Sequence, residues 1–258
     1  MHLWLIAFWN SIRTRWWLVF APFGVLTVAF LVWFLFGGLF IEGPDPVLLK
    51  RLAELEELRN KAKEGDPRVQ YRMGVTLRDG RLGEKDFVKA AEWFKKSAKK
   101  GYAKSQYALA RLYEVGAGVR QDSEQAVKWY RLAAIFGKHP EAEYALADLY
   151  FNGRGLGQDY INALDWYRRA ALRGHAGALF TMGSMYEKGW GGERDLVEAY
   201  AWYSLANQVP DKVGQYISGA EPAGDLARIS ESLTRADLMV AKRRHKTLER
   251  HLAKSTKR

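Results

Sequence analysis

Apolar and polar positions recur with a helical period along most of the chain, and the pattern itself comes back. From Ala103 to Glu114 the sequence AKSQYALARLYE puts Tyr107, Ala110 and Tyr113 on one face, the spacing of a helix with one buried side. Gly116-Ala117-Gly118 should end that helix, because glycine accepts a positive φ. Asp122 then fits the N-cap of a second helix, with Gln125 at the reciprocal capping-box position. Along this second helix Ala126, Trp129 and Ala133 follow i, i+3, i+7, a stripe that has to be covered.

The pair of helices is repeated in register. Trp93, Trp129, Trp166 and Trp202 are 36, 37 and 36 residues apart. The same offsets relate Asp86, Asp122, Asp159 and Asp195, and Ala90, Ala126, Ala163 and Ala199. They also relate Phe94, Tyr130, Tyr167 and Tyr203, and Gly80, Gly116, Gly153 and Gly189. Upstream, Gly74, Ala110, Ala147 and Gly183 hold a small-residue position, preceded by Tyr71, Tyr107, Tyr144 and Phe180. Small side chains there imply the close approach of another helix axis. A period of this length is the mark of a stacked two-helix array. The recurring Trp-Tyr-Arg cluster is therefore expected to be architecture, with Trp93, Trp129, Trp166 and Trp202 in the repeat core.

Two passages break the pattern. Trp16–Ile41 is an uncharged run of 26 residues, long enough to cross a bilayer as one helix. It exceeds a signal-peptide core and is followed by no small-residue cleavage site. A retained single-pass anchor is expected over 16–41, after a short interfacial or cytoplasmic segment over 1–15. Arg13 and Arg15 before the run favour a cytoplasmic N-terminus and a periplasmic body, although Lys50, Arg51, Arg59 and Lys61 argue the other way. Leu48, Leu52, Leu55 and Ala62 then recur at helical spacing, giving a linker and capping helix over 42–64. At the other end, Pro210–Gly224 reads as a loop and Leu233–Leu252 as a final helix whose apolar positions are Leu238, Val240, Ala241, Leu248 and Leu252. The stretch 208–258 thus comprises loop, capping helix and basic tail.

SQYALARLYEVGAGVRQDSEQAVKWYRLAAIFG and AEYALADLYFNGRGLGQDYINALDWYRRAALRG resemble Sel-one-like repeats, relatives of tetratricopeptide repeats with a longer inter-helix loop. The resemblance covers about 65–207 in four copies, the outer two looser. It implies an all-α fold: an α/α solenoid of four two-helix repeats with capping helices, here preceded by one transmembrane helix. It also implies a non-catalytic adaptor of the bacterial envelope, serving assembly, polysaccharide, signalling or secretion machinery. By the same analogy a concave face lined by the first helix of each repeat would hold a protein partner through Arg78, Tyr107, Arg111, Tyr144, Asp148 and Phe151. The tyrosines recur and so serve packing or recognition. Arg111, Asp148 and Phe151 are not dictated by the repeat and are the better recognition candidates.

Composition narrows the chemistry. There is no cysteine, which excludes disulfides, thiolate metal sites and cysteine nucleophiles. The net charge is +11, and most of it comes from Lys242 onward, where eight basic residues face Glu249 alone. That tail is a solvated helix end or a contact to an anionic surface. Gly153–Asp159, GRGLGQD, looks like a dinucleotide loop but follows a helix where that motif requires a strand. The five histidines show no metal-ligand spacing, and His139 and His175 fall in loops between repeats. No catalytic residue, cofactor or metal is expected, and no specific nucleic acid. The expected contacts are a protein partner, the bilayer through 16–41 and an anionic surface at the tail, with oligomeric state open. The alternative function is a glycan- or peptidoglycan-binding envelope module using the aromatic row. An enzyme is the least favoured reading.

Overall fold

The computed structural model describes residues 45–255, and all regular structure among them is helical. The apolar run 16–41 lies outside these residues. Among the described residues no helix is long and apolar enough to cross a membrane. The chain divides into two units after Asn60. Helix α1 (Pro46–Lys63) runs through that division, with Leu48 exposed and Ala62 buried.

The second unit begins with four helical hairpins. They are α2 (Pro67–Asp79) with α3 (Phe87–Lys99), α4 (Ala103–Val115) with α5 (Ser123–Ile135), α6 (Pro140–Asn152) with α7 (Tyr160–Leu172), and α8 (Ala176–Lys188) with α9 (Leu196–Ala206). Each hairpin packs internally, and each second helix packs on the first helix of the next repeat. The segment expected as a loop carries helix α10 (Pro210–Gly214) and the start of α11 (Pro222–Ser232); α12 (Arg235–Ser255) follows. Proline at the first turn of α10 and α11 explains both departures, since it is pre-set for helix φ and its missing N–H is not needed there.

The hairpin turn is fixed by local chemistry. Gly80, Gly116, Gly153 and Gly189 close the first helices with φ between 66° and 73°, the left-handed cap that glycine adopts without penalty. Asp86, Asp122, Asp159 and Asp195 cap the second helices, each accepting a backbone N–H two or three residues on. The reciprocal half of the capping box is absent. The N–H of Asp122 instead donates to the Tyr113 carbonyl at 2.9 Å, and Asp86, Asp159 and Asp195 do the same to Leu77, Tyr150 and Tyr186. The aspartate thereby ties the two helices of a hairpin together. A side chain at the Gln125 position is not needed for that N–H.

The second glycine of the loop sets the stacking. A Cβ at Gly118 would lie 2.2 Å from the Phe87 carbonyl carbon, one at Gly155 2.7 Å from the Ser123 side chain, and one at Gly191 2.3 Å from the Tyr160 carbonyl oxygen. Each loop therefore seats on the start of the second helix of the preceding repeat. The first copy has Leu82 at this register, and no repeat precedes it.

The aromatic core differs from the expected one. Phe94, Tyr130, Tyr167 and Tyr203 are the uniformly buried rings, each at most 2 % exposed. The tryptophan row divides: Trp202 is 1 % and Trp129 9 % exposed, whereas Trp93 and Trp166 are half-buried. Lys96 and Arg169 lie over the rings of those two, both at 4.4 Å. In α3 the buried stripe is Ala90, Ala91, Phe94, Ser97 and Ala98, with Trp93 at its edge. The small position on the first helix is explained by the ring and not by a helix axis. A Cβ at Gly74 would meet Phe94 at 2.5 Å, and one at Gly183 would meet Tyr203 at 2.6 Å.

The C-terminal helices cover α9, with Leu248 of α12 joining Trp202 and Leu205, and Ile229 of α11 joining Ala199 and Tyr203. Of the apolar positions assigned to the last helix, Ala241 and Leu248 are buried, but Val240 is 53 % exposed. Counting from Ala241, Leu248 returns to the same side of the helix, while Val240 falls a quarter-turn outside that stripe.

Candidate interaction face

The first helices α2, α4 and α6 carry the expected partner-binding residues, and the structure gives each a different surrounding. Tyr107 stacks on His139 with centroids 5.1 Å apart and 18° between planes. Tyr144 stacks on His175 at 4.3 Å and 12°. Tyr71 meets Tyr102 edge-on at 5.5 Å. Tyr102, His139 and His175 are the N-cap residues of α4, α6 and α8, so the two histidines belong to helix ends and not to free loops. The tyrosine row is thus a ladder joining successive repeats, one face of the Tyr107 and Tyr144 rings being taken by the next repeat.

His175 is 4 % exposed, and its Nδ1 accepts the Ala178 N–H at 3.1 Å. The imidazole is therefore neutral, with its proton on Nε2. Burial pushes its pKa down to about 4. Tyr216, from the segment after α10, packs on the same imidazole at 4.2 Å and on Gly177.

Beside the ladder runs a row of tyrosine–carboxylate pairs that no single-repeat pattern announces. Tyr130 donates to Oε2 of Glu114 at 2.7 Å, Tyr203 to Oε2 of Glu187 at 2.9 Å, and Tyr167 to Oδ1 of Asp148. In register Asp148 lies one turn before the position of Glu114 and Glu187, because Phe151 occupies that position in the third repeat. Burial raises the Asp148 carboxyl to about 6, against the Tyr167 hydroxyl and the Arg154 charge, which lower it. Arg154 lies 3.3 Å from Oε1 of Glu114 and so links the third repeat to the second. Arg111 is exposed and hydrogen-bonded to Tyr107.

Of the remaining two candidates, Arg78 stands apart on α2, while Phe151 borders the strip through an edge-on contact with Tyr167 at 6.4 Å. Arg78 is held by Asp79 at 2.7 Å, with Arg81 on the other carboxylate oxygen. Phe151 meets Tyr160 and Trp190, both at 5.1 Å edge-on, and Trp190 is 38 % exposed. The structure therefore brings Tyr107, Arg111, Tyr144 and Asp148 to one polar, ring-lined strip on α4 and α6. It joins to them Glu114, Tyr130, Arg154, Tyr167 and His175. Among the described residues no cluster suited to a metal ion is present.

A two-helix unit with αL glycine cap, aspartate N-cap and paired small and aromatic positions, four times over, is a specific pattern. The Sel1 repeat model matches residues 67–102, 103–135, 140–175 and 176–208. The chain belongs to the Sel1 repeat family. A Sel1 repeat protein from Oxalobacter formigenes has the same fold, with a TM-score of 0.57 at 25 % identity over 75 % of this chain and 87 % of that one. A protective antigen of uropathogenic Escherichia coli displaying this fold is 26 % identical, covering 78 % of this chain and 50 % of that one, at a TM-score of 0.47. The alginate biosynthesis protein AlgK of Azotobacter vinelandii is 36 % identical over 104 residues. That match spans 40 % of this chain and 22 % of AlgK. Sel1 repeat solenoids act as interaction scaffolds, and this chain carries the fold of one.

Proposed function

We propose that this Sel1 repeat protein is a membrane-tethered scaffold of the bacterial envelope that holds a protein partner on the α4–α6 strip. The tether is the apolar run 16–41, the body lies in the periplasm, and the likeness to AlgK favours machinery that makes or exports an acidic polysaccharide. The observation that carries the reading is the contrast between Arg111 and its surroundings. Its guanidinium is exposed on a face whose tyrosines and carboxylate are already locked by His139, His175 and Tyr167. A rigid frame whose exposed arginine is already oriented by Tyr107 loses little entropy on binding, and arginine is a frequent hot spot. The glycan alternative fits this strip less well, because an imidazole already stacks on one face of each of its two tyrosines, Tyr107 and Tyr144.

The test is capture of partners from detergent extracts by the full chain. Arg111→Ala should lose the captured protein while melting as the parent does. Retention of every captured protein by Arg111→Ala and by Arg111→Glu would remove the strip from consideration. A C-terminal reporter active on only one side of the membrane checks the periplasmic placement separately.

A further inference from the structure

Helix α12 turns a second surface outward. Its packed side holds Ala241 and Leu248, both at most 3 % exposed. Arg244 and Glu249 on its flanks are engaged by Glu198 at 2.5 Å and by Gln208 at 3.1 Å. Opposite the packed side, Arg243, Lys246, Arg250 and Lys254 follow one another at i, i+3, i+7 and i+11, all exposed. Among the described residues none of the four has an acidic partner. With 1.5 Å of rise per residue the four charges spread over about 16 Å, roughly one per helical turn.

From this stripe we infer a binding site for a linear polyanionic polysaccharide carrying one carboxylate per sugar. The site lies on α12 and is separate from the partner strip on α4 and α6, so either can fail without the other. A stripe one side chain wide, with charges about one turn apart, matches a chain of carboxylates laid along the helix. Arg243 and Arg250 present the planar fork that pairs bidentately with a carboxylate.

A flat lipid surface fits less well. Helix α11, joined to α12 by Leu233-Thr234 alone and packed on the same α9, exposes Glu231, and its N-cap residue Glu221 is exposed as well. The apolar stripe of α12 around Ala241 and Leu248 is already buried, and the apolar side chains it leaves exposed, Met239 and Val240, are adjacent residues near its start and form no continuous face to insert. A nucleic acid fits less well again, because single strands are held by aromatic platforms between cations. Residues 235–255 contain no Phe, Tyr or Trp.

The experiment is titration calorimetry of the full chain in detergent micelles with oligogalacturonates of two, four and eight sugars. The eight-sugar probe should bind at least ten-fold more tightly than the two-sugar one, and added salt should weaken binding steeply. Arg243→Ser/Lys246→Ser/Arg250→Ser should lower affinity at least ten-fold, with an unchanged melting temperature. Lys95→Ser/Lys99→Ser/Lys128→Ser, which removes the same charge elsewhere, should leave affinity within two-fold. If the α12 triple variant melts early, Arg243→Gln and Arg250→Gln are read singly, each with a smaller loss expected. Absence of binding to eight sugars, equal loss in the two triple variants, or equal or tighter binding to anionic vesicles or single-stranded DNA would overturn the assignment.

Discussion

Tyr203 donates its hydroxyl to Oε2 of Glu187 at 2.9 Å, and Arg228 of α11 grips the same carboxylate with two nitrogens. The Arg228 guanidinium keeps this nearly buried carboxyl below its ordinary range despite the cost of burial. In the second repeat the matching carboxylate, Glu114, takes its tyrosine from the same hairpin and its cation, Arg154, from the next. The fourth repeat has no successor, and α11 supplies the cation instead. The C-terminal helices thus complete the last repeat electrostatically as well as covering it.

Tyr203→Phe should therefore cost about 1–3 kcal/mol, because a buried, charged acceptor loses the shorter of the two hydrogen bonds to its Oε2, Arg228 keeping the other. Arg228→Ala should cost less, about 1–2 kcal/mol, since that side chain is half in water and its share is screened. Urea unfolding checks both; an unchanged midpoint in Tyr203→Phe would show that the pair is dispensable.

Two groups set opposing pH dependences. Asp148 sits at about 6 in the folded chain against 3.8 unfolded, so folding binds its proton more tightly, and stability from it rises as pH falls from about 6 to 4. His175 sits at about 4 against 6.5, so its stabilisation is complete above 6.5 and is lost as pH falls to about 4. Each shift amounts to about 3 kcal/mol at most, at 1.36 kcal/mol per unit. Between pH 4 and 6.5 they largely cancel. Asp148→Asn, which keeps an acceptor for Tyr167, should gain stability at pH 8 and make the protein more acid-sensitive than the parent. Thermal melts across pH 4–8 read this; parallel curves for the two proteins would refute it.

The inter-repeat glycine can be separated from loop glycines in general. Gly118→Ala faces both a positive φ of 70° and the Phe87 backbone. It should cost about 2–4 kcal/mol, combining left-handed strain with overpacking. At Gly157 an added Cβ meets nothing within 4 Å, and Gly157→Ala should change stability by less than about 0.5 kcal/mol. Comparable losses at both sites would show that chain flexibility, not stacking, is what glycine supplies.

The core prediction follows the buried ring and not the repeated indole. Phe94→Ala and Trp202→Ala should each cost about 3–5 kcal/mol. Trp93→Ala, at the half-buried edge under Lys96, should cost less than half of that. Denaturant melts that ranked Trp93 with Trp202 would restore the tryptophans as a uniform core.

The repeat, its period and its helix ends were legible in the linear chain. They depend on contacts within about 20 residues: Gly116 turning the backbone, Asp122 capping the next helix six residues later, and alanines at helical spacing. Local geometry of that kind is encoded by residue type alone. Three features depended on the third dimension. Which aromatic is buried was settled by how α3 packs on α2, with Phe94 seated against Gly74 and Trp93 left at the rim. The histidine–tyrosine ladder and the tyrosine–carboxylate row join different helices, so no spacing along one helix reveals them. Whether α12 exposes or buries its cations was decided by which of its faces met α9. Sequence determines what each helix offers; only packing between helices, where burial costs and gains are settled together, decides what is left on the surface to act.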